Sequence, residues 1–383
     1  MKKVRFLFCI VFCLIVFPFS VKAEEITLSQ QENKEILKQQ LHSLPLEEVD
    51  RQVEEIWKAE EVPSFGEMVE KVTTEGTALS ISEIFSYLLK KMSGEILTQI
   101  AMVKKILFVV LLSAILKNLN SSFQRKSVGE LGFYVCYMVL IVVIAATFYH
   151  QTKMVSQTVQ AIETAFQAMM PVFMTLAAAS GGYGESVITA PAIMVGAGIL
   201  TGVVCHFILP ATTMATSLEM INNISEKPML SRFTTLLREG LSWLMKGIAF
   251  LFMALLSLQK LGGTVLNQGT AKTAKAIVGS VPIIGDVMGG AVDTAAALTG
   301  MLRGGVLFAA VAFLILLCVV PLVRLGIMIL IYKITAAVAE PICEARLVKC
   351  ISGAGDFSVL LFGALFLVDC MFLFSAVLLL TFF

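Results

Sequence analysis

Two aspartates, Asp286 and Asp293, stand seven residues apart in the glycine-rich apolar run from Gly279 to Thr294. On a continuous helix that spacing places both carboxylates on one face. Pro282 removes a backbone donor just before them, and Gly285, Gly289 and Gly290 permit sharp bends. A second polar, glycine-rich stretch follows Pro171, with Gly181, Gly182, Gly184 and Glu185. Irregular backbone and ionisable groups at membrane depth must be enclosed by protein or line a wet cavity. The chemistry these residues offer is therefore that of a polar pathway through apolar surroundings. A structural or pore-lining role fits the two aspartates better than a specific ion site, because no basic residue stands near them to complete a proton relay. Glu163, Glu219, Lys333, Glu340 and Asp369 are further polar residues in apolar segments. Some of these can sit at the interface, where water solvates them cheaply.

No catalytic, cofactor or metal constellation competes with this reading. His42, His150 and His206 are scattered, and there is no CxxC pair or Cys/His cluster with metal-ligand spacing. Phosphate loops, nucleotide-binding glycine patterns and nucleophile elbows are missing as well. The sequence points to no enzyme, cofactor or nucleic-acid partner.

The elements that must position these groups are membrane helices. The 383 residues are 57% hydrophobic and 15% charged, with mean hydropathy +0.86. Soluble domains carry about 25% charged residues, so a bilayer is the natural solvent. Lys2, Lys3 and Arg5 precede the apolar run Phe6 to Phe17, and Val21-Lys22-Ala23 ends a signal-peptide pattern over 1–23. Cleavage follows Ala23, with an uncleaved anchor as the alternative because of Lys22. Residues 24–99 form an acidic helical arm with sixteen Asp/Glu and seven Lys/Arg. A helix is expected from near Pro45, with Val49, Val53, Ile56 and Trp57 on one face. Ser64 with Glu67, and Ser80 with Glu83, have capping-box spacing. The stripe Ile81, Ile84, Phe85, Leu88, Leu89 and Met92 suits either a brace for the membrane part or a docking module for another protein.

Spans are expected over 106–119, 131–149, 187–209, 241–261, 304–320, 322–342 and 359–382. Two weaker segments, 161–180 and 274–298, are interrupted by Pro and Gly. With the signal removed, the arm lies outside the cell membrane. Lys117, Arg125 and Lys126 then fall inside, as the positive-inside rule requires, and so do Lys227, Arg232, Arg238, Arg346 and Lys349 if the two weak segments do not cross. Lys104 and Lys105 run against it.

A weak repeat organises the membrane part. Pro171 and Pro282 are 111 residues apart, as are Pro210 and Pro321, and Pro228 precedes Pro341 by 113. Gly240 and Gly353 each lie twelve residues past the last proline of their set. The division is then a first helix pair in 100–150 and two related halves, 151–261 and 262–383. Duplicated halves with interrupted helices build transport pathways near the bilayer midplane. The fold expected is all-α: a polytopic helical membrane protein with internal duplication and Pro/Gly-broken half-helices, preceded by a small arm.

The run Ala276 to Thr294, with its Val-Pro-Ile-Ile-Gly and Ala-Val-Asp-Thr elements, resembles that of the stage III sporulation protein AE family. The order of signal, acidic arm and polytopic domain is similar over nearly the whole chain. The resemblance implies the mother-cell membrane around the forespore of an endospore-forming bacterium. It also implies membership of a multiprotein channel or secretion-like apparatus that supports forespore development. The partners are then other membrane proteins of that complex, the lipid bilayer and further copies of the chain. A stand-alone secondary transporter and a structural scaffold that recruits partners are the competing readings.

Overall fold

The structure is a computed structural model that describes residues 46–56, 64–75, 94, 99, 104–115, 126–179, 183–224, 229–266 and 285–381. The signal region, Trp57, Ser80, Glu83, the 81–92 stripe, Gly181, Gly182 and Pro282 lie outside these residues. All regular structure among the described residues is helical. In chain order the helices are α1 (Leu46–Ile56), α2 (Phe65–Glu75), α3 (104–115), α4 (Lys126–Ala179), α5 (Tyr183–Val203), α6 (Leu209–Asn222), α7 (Ser231–Leu266), α8 (Gly285–Ala339) and α9 (Ala345–Thr381). A π-turn, Val204–Ile208, joins α5 to α6.

The described part of the arm begins with α1 at Leu46, beside the Pro45 near which the sequence places a helix start, and it packs on the long helices. Leu46 and Val49 of α1 are buried against α4, while Phe65, Met68 and Val69 of α2 are buried against α8. Phe65 meets Phe313 edge-on at 5.6 Å. α2 comes so close to α8 that a Cβ on Gly305 would overlap the Thr73 methyl. The expected Ser64 cap forms, with the Glu67 amide donating to Ser64 Oγ at 3.3 Å. Asp50 of α1 adds a cap that spacing did not reveal. It accepts from the Phe65 amide at 2.5 Å, the Gly66 amide at 3.1 Å and the Ser64 hydroxyl at 2.6 Å. Removing a cap costs helix stability about 1 kcal/mol. Asp50→Ala is therefore expected to speed hydrogen exchange at amides 65–75 severalfold while leaving α8 protected. Equal exchange in both proteins would mean that packing alone seats α2.

Among the described residues, four stretches are long and apolar enough to cross a bilayer. They are Leu131–Leu176, Ile193–Asn222, Gly304–Ala339 and Ala345–Leu379. α8 and α9 form a hairpin through the turn at 340–344 and share the most extensive contact in the fold. Around it, α4 packs on both of them, and α5, α6 and α7 pack on α9. α8 is the most enclosed span. Its outward apolar residues, Leu330, Ile334 and Val338, come only in its last turns.

The weak segment 161–180 is not an element of its own. α4 runs through Pro171 without interruption to Ala179, where the sequence suggested a break. Pro171 is exposed, and Thr175 donates to its carbonyl at 2.7 Å. One missing amide bends a helix without ending it. The departure from α geometry falls instead at Val204–Ile208, where the Leu209 amide reaches back to the Val204 carbonyl. Pro210, next in line, cannot donate to the His206 carbonyl, and a π-turn is how helices absorb such a gap. Pro321 lies buried inside α8, which continues past it.

The exposed surface of α4 changes character along its length. From 131 to 149 the large exposed side chains are apolar or aromatic, including Leu131, Val135, Met138, Val142 and Tyr149. Beyond them the exposed residues are His150, Lys153, Gln157, Gln160, Gln167, Pro171 and Thr175. Nineteen residues span about 28 Å, one hydrocarbon thickness. The rest of α4 presents a polar stripe.

Candidate functional site

The polar groups that the structure brings together lie where α7, α8 and α9 meet. Lys333 of α8 donates to Asp356 Oδ1 at 2.6 Å, to Ser352 Oγ at 3.0 Å and to the Ser352 carbonyl at 3.2 Å. All three of its protons are thus engaged. Arg238 of α7 donates to the other carboxylate oxygen, Oδ2, at 3.1 Å. One carboxylate therefore ties two cations from two other helices. The three side chains are 40, 37 and 40% exposed for Lys333, Asp356 and Arg238. Asp356 stands ten residues up α9 from Arg346, about 15 Å above the turn that joins α8 to α9.

Close backbone approach makes the cluster. A Cβ on Gly355 would sit 3.1 Å from Tyr332 Cβ and 3.4 Å from Lys333 Cε. One on Gly353 would sit 3.1 Å from Glu219 Cγ, so Glu219 of α6 lies against the bare backbone of α9. Deeper in the bundle, Ser358 donates to Gln151 Oε1 at 3.0 Å. Gln151 Nε2 and the Tyr332 hydroxyl are buried there with no well-formed hydrogen bond among the described residues.

A second cluster fastens the turn end. Arg346 donates to Glu344 Oε2 through Nε at 3.2 Å and through Nη2 at 2.9 Å, and to the Ile224 carbonyl at 3.2 Å. Its guanidinium lies 4.0 Å from the Phe133 ring centroid. The Tyr137 hydroxyl donates to the Met220 carbonyl at 2.8 Å, and the Cys343 thiol to the Val110 carbonyl at 3.3 Å. The turn after α6, the turn after α8, α3 and the start of α4 are joined in this way.

The residues singled out from sequence fall in several places. Lys333 is in the ion-pair cluster and Glu219 packs beside it. Glu340 stands exposed in the turn after α8 rather than inside a span. Asp369 is buried in α9 beside Cys318, with no hydrogen-bond partner for Oδ1 among the described residues. Glu163 of α4 accepts from Gln167 at 3.3 Å and faces Gly198 of α5. Gly285, Asp286, Gly289, Gly290 and Asp293 are backbone positions in the first turns of α8, and Glu185 lies in α5. Their side chains lie outside the described residues. Asp356, its central residue, carries no signal in sequence, since its partners are 23 and 118 residues away. The arrangement holds no nucleophile and base pair. Its chemistry is the satisfaction of charge inside a helical membrane body.

Comparison with known proteins gives the setting. The family model for stage III sporulation protein AE matches residues 63–382. Stage III sporulation protein AE of Bacillus subtilis (strain 168) is 24% identical over 302 residues, which is 79% of this chain and 75% of that protein. No solved structure matches. The match runs from the cap of α2 through the ion-pair cluster to the last helix, and the chain belongs to the stage III sporulation protein AE family.

Proposed function

We propose that this protein is an integral membrane subunit of a multiprotein channel or secretion-like complex connecting mother cell and forespore. It sits in the mother-cell membrane around the forespore with its arm outside the cytoplasm, and it acts without catalysis of its own. The family match over residues 63–382, which takes in the whole membrane body, carries this reading. The bracing of the arm on α4 and α8 supports it, because the arm is then a fixed platform beside the membrane.

The duplication belongs to the same proposal. The stretch from Tyr183 to Leu266 and the stretch from Gly285 to Thr381 are each a long helical path with a proline inside, a turn and a second helix. Pro210 and Pro321 occupy the corresponding places. The two halves, with their polar stretches at Gly181 to Glu185 and Pro282 to Asp293, form the pathway walls.

The test is complementation. In Bacillus subtilis lacking its own stage III sporulation protein AE, this chain is expected to restore spores and to co-purify with other sporulation membrane proteins. A version lacking residues 24–99 but still inserted loses that assembly. Full spore yield from a chain that co-purifies with nothing would overturn the complex reading. The solitary transporter draws support from the buried, half-satisfied Asp369, and solute uptake by the purified protein in vesicles distinguishes it.

A further inference from the structure

One carboxyl inside the bundle has no counter-charge to meet it. Asp369 of α9 is 6% exposed, and its Oδ1 has no hydrogen-bond partner among the described residues. Elsewhere the fold pairs the charges it draws together. Asp356 takes Lys333 and Arg238, and Glu344 takes Arg346. Asp369 belongs to the stretch Ala345–Leu379 and lies beside Cys318 of the stretch Gly304–Ala339, both long and apolar enough to cross a bilayer. Leu314 and Leu317 near Cys318, and Leu365, Val368 and Phe372 near Asp369, are buried and apolar. The thiols of Cys318 and Cys370 are the titratable groups at its side. Ionisable groups of the other helices packed on α9 are turned elsewhere. Glu163 of α4 takes Gln167 and faces Gly198 of α5. Arg324 of α8 reaches Met154 Sδ at 3.5 Å, and Glu219 of α6 lies against Gly353. His206 Nδ1, in the π-turn, is 3.1 Å from the Gly202 carbonyl, and Lys246 of α7 lies over the Trp243 ring.

A carboxylate ion in such a place has lost its water and gained no counter-charge, which is costly. A cation must come to it. Metal ions need several ligands, and no group of three His, Cys, Asp or Glu side chains among the described residues is placed to hold one. The proton is the cation that needs a single oxygen. We propose that Asp369 is a proton-binding site set into the α8–α9 seam, loaded while the seam is closed and emptied when it opens. The closed seam suits the neutral acid, which can donate to the sulfur beside it. Loss of the proton leaves a charge that water must reach, and water reaches it only if α8 and α9 part around Cys318. Loading and emptying thus bias the hairpin between two arrangements. The site goes beyond the complex reading and does not depend on it.

The probe is dicyclohexylcarbodiimide, an apolar reagent that takes the proton of a carboxylic acid on one nitrogen and its oxygen on the central carbon. The O-acylurea formed rearranges to a stable N-acylurea, so the whole reagent stays on the residue. With the purified full-length protein in lipid vesicles, peptide mass spectrometry is expected to find the adduct at Asp369 and not at the ion-paired Asp356. The adduct should fade as the pH is raised while the helical circular dichroism holds constant, because the reagent needs the acid. Asp369→Glu should keep both the label and the spores of the complemented strain. Asp369→Asn, which is neutral at every pH, should fold and lose the spores. Three results overturn the site: no adduct at 369 in the folded protein, an adduct that does not change with pH, or full spore yield from Asp369→Asn. Should Asp369→Asn fail to fold, the pH course of the label in the unsubstituted protein decides. The labelling needs neither partners nor complementation, so it tests the site even where the complex reading fails.

Discussion

Asp356→Ala is expected to lower the stability of the detergent-solubilised protein by about 2 kcal/mol and to cut spore yield in the complemented strain. The change leaves Lys333 and Arg238 facing each other with no anion between them. Stranding a fully buried charge costs about 3 to 5 kcal/mol. These side chains are partly exposed, so a smaller figure applies. Replacing all three by leucine should recover most of the loss, because a well-packed apolar cluster of similar volume is about as stable as an ion-pair network. The two variants divide structure from function. If the triple replacement is stable but still makes no spores, the charges serve transport or assembly. If Asp356→Ala unfolds at the temperature of the unsubstituted protein, the cluster does not hold α7, α8 and α9 together.

Arg346→Lys is expected to open the turn end. Lysine keeps the charge and loses the planar fork that grips Glu344, reaches the Ile224 carbonyl and lies over Phe133. The loss is about 1 to 3 kcal/mol, from one charge-assisted hydrogen bond and one cation–π contact. It should appear as faster hydrogen exchange at 221–224 and 340–348, with the outer halves of α4 and α9 unchanged. Protection at both turns equal to that of the unsubstituted protein would show that Tyr137 and Cys343 suffice there.

The sequence made the helical membrane class, the start of α1 and the Ser64 cap plain, because each rests on local signals a few residues long. Pro171 misled, since one lost amide bond can bend a helix without ending it, and α4 continues through it to Ala179. The ion-pair cluster was half visible. Lys333 is conspicuous in an apolar run, but Asp356 sits among Gly353, Ala354, Gly355 and Phe357 and acquires meaning only when α7 and α8 are packed beside it. The same holds for Asp50, whose use as a cap for another helix depends on the angle between α1 and α2. Sequence reports what a residue costs in lipid; the fold decides who answers it.

The continuous course of α4 has a mechanical consequence. A helix of 54 residues is about 80 Å long, more than twice the hydrocarbon thickness. α1 of the arm rests on it, and near its other end Phe133 lies beneath Arg346. Apart from the amide missing at Pro171, the hydrogen-bonded ladder is continuous, and such a ladder resists stretching and compression. Load on the arm is therefore carried along α4 towards the clamp between the two turns.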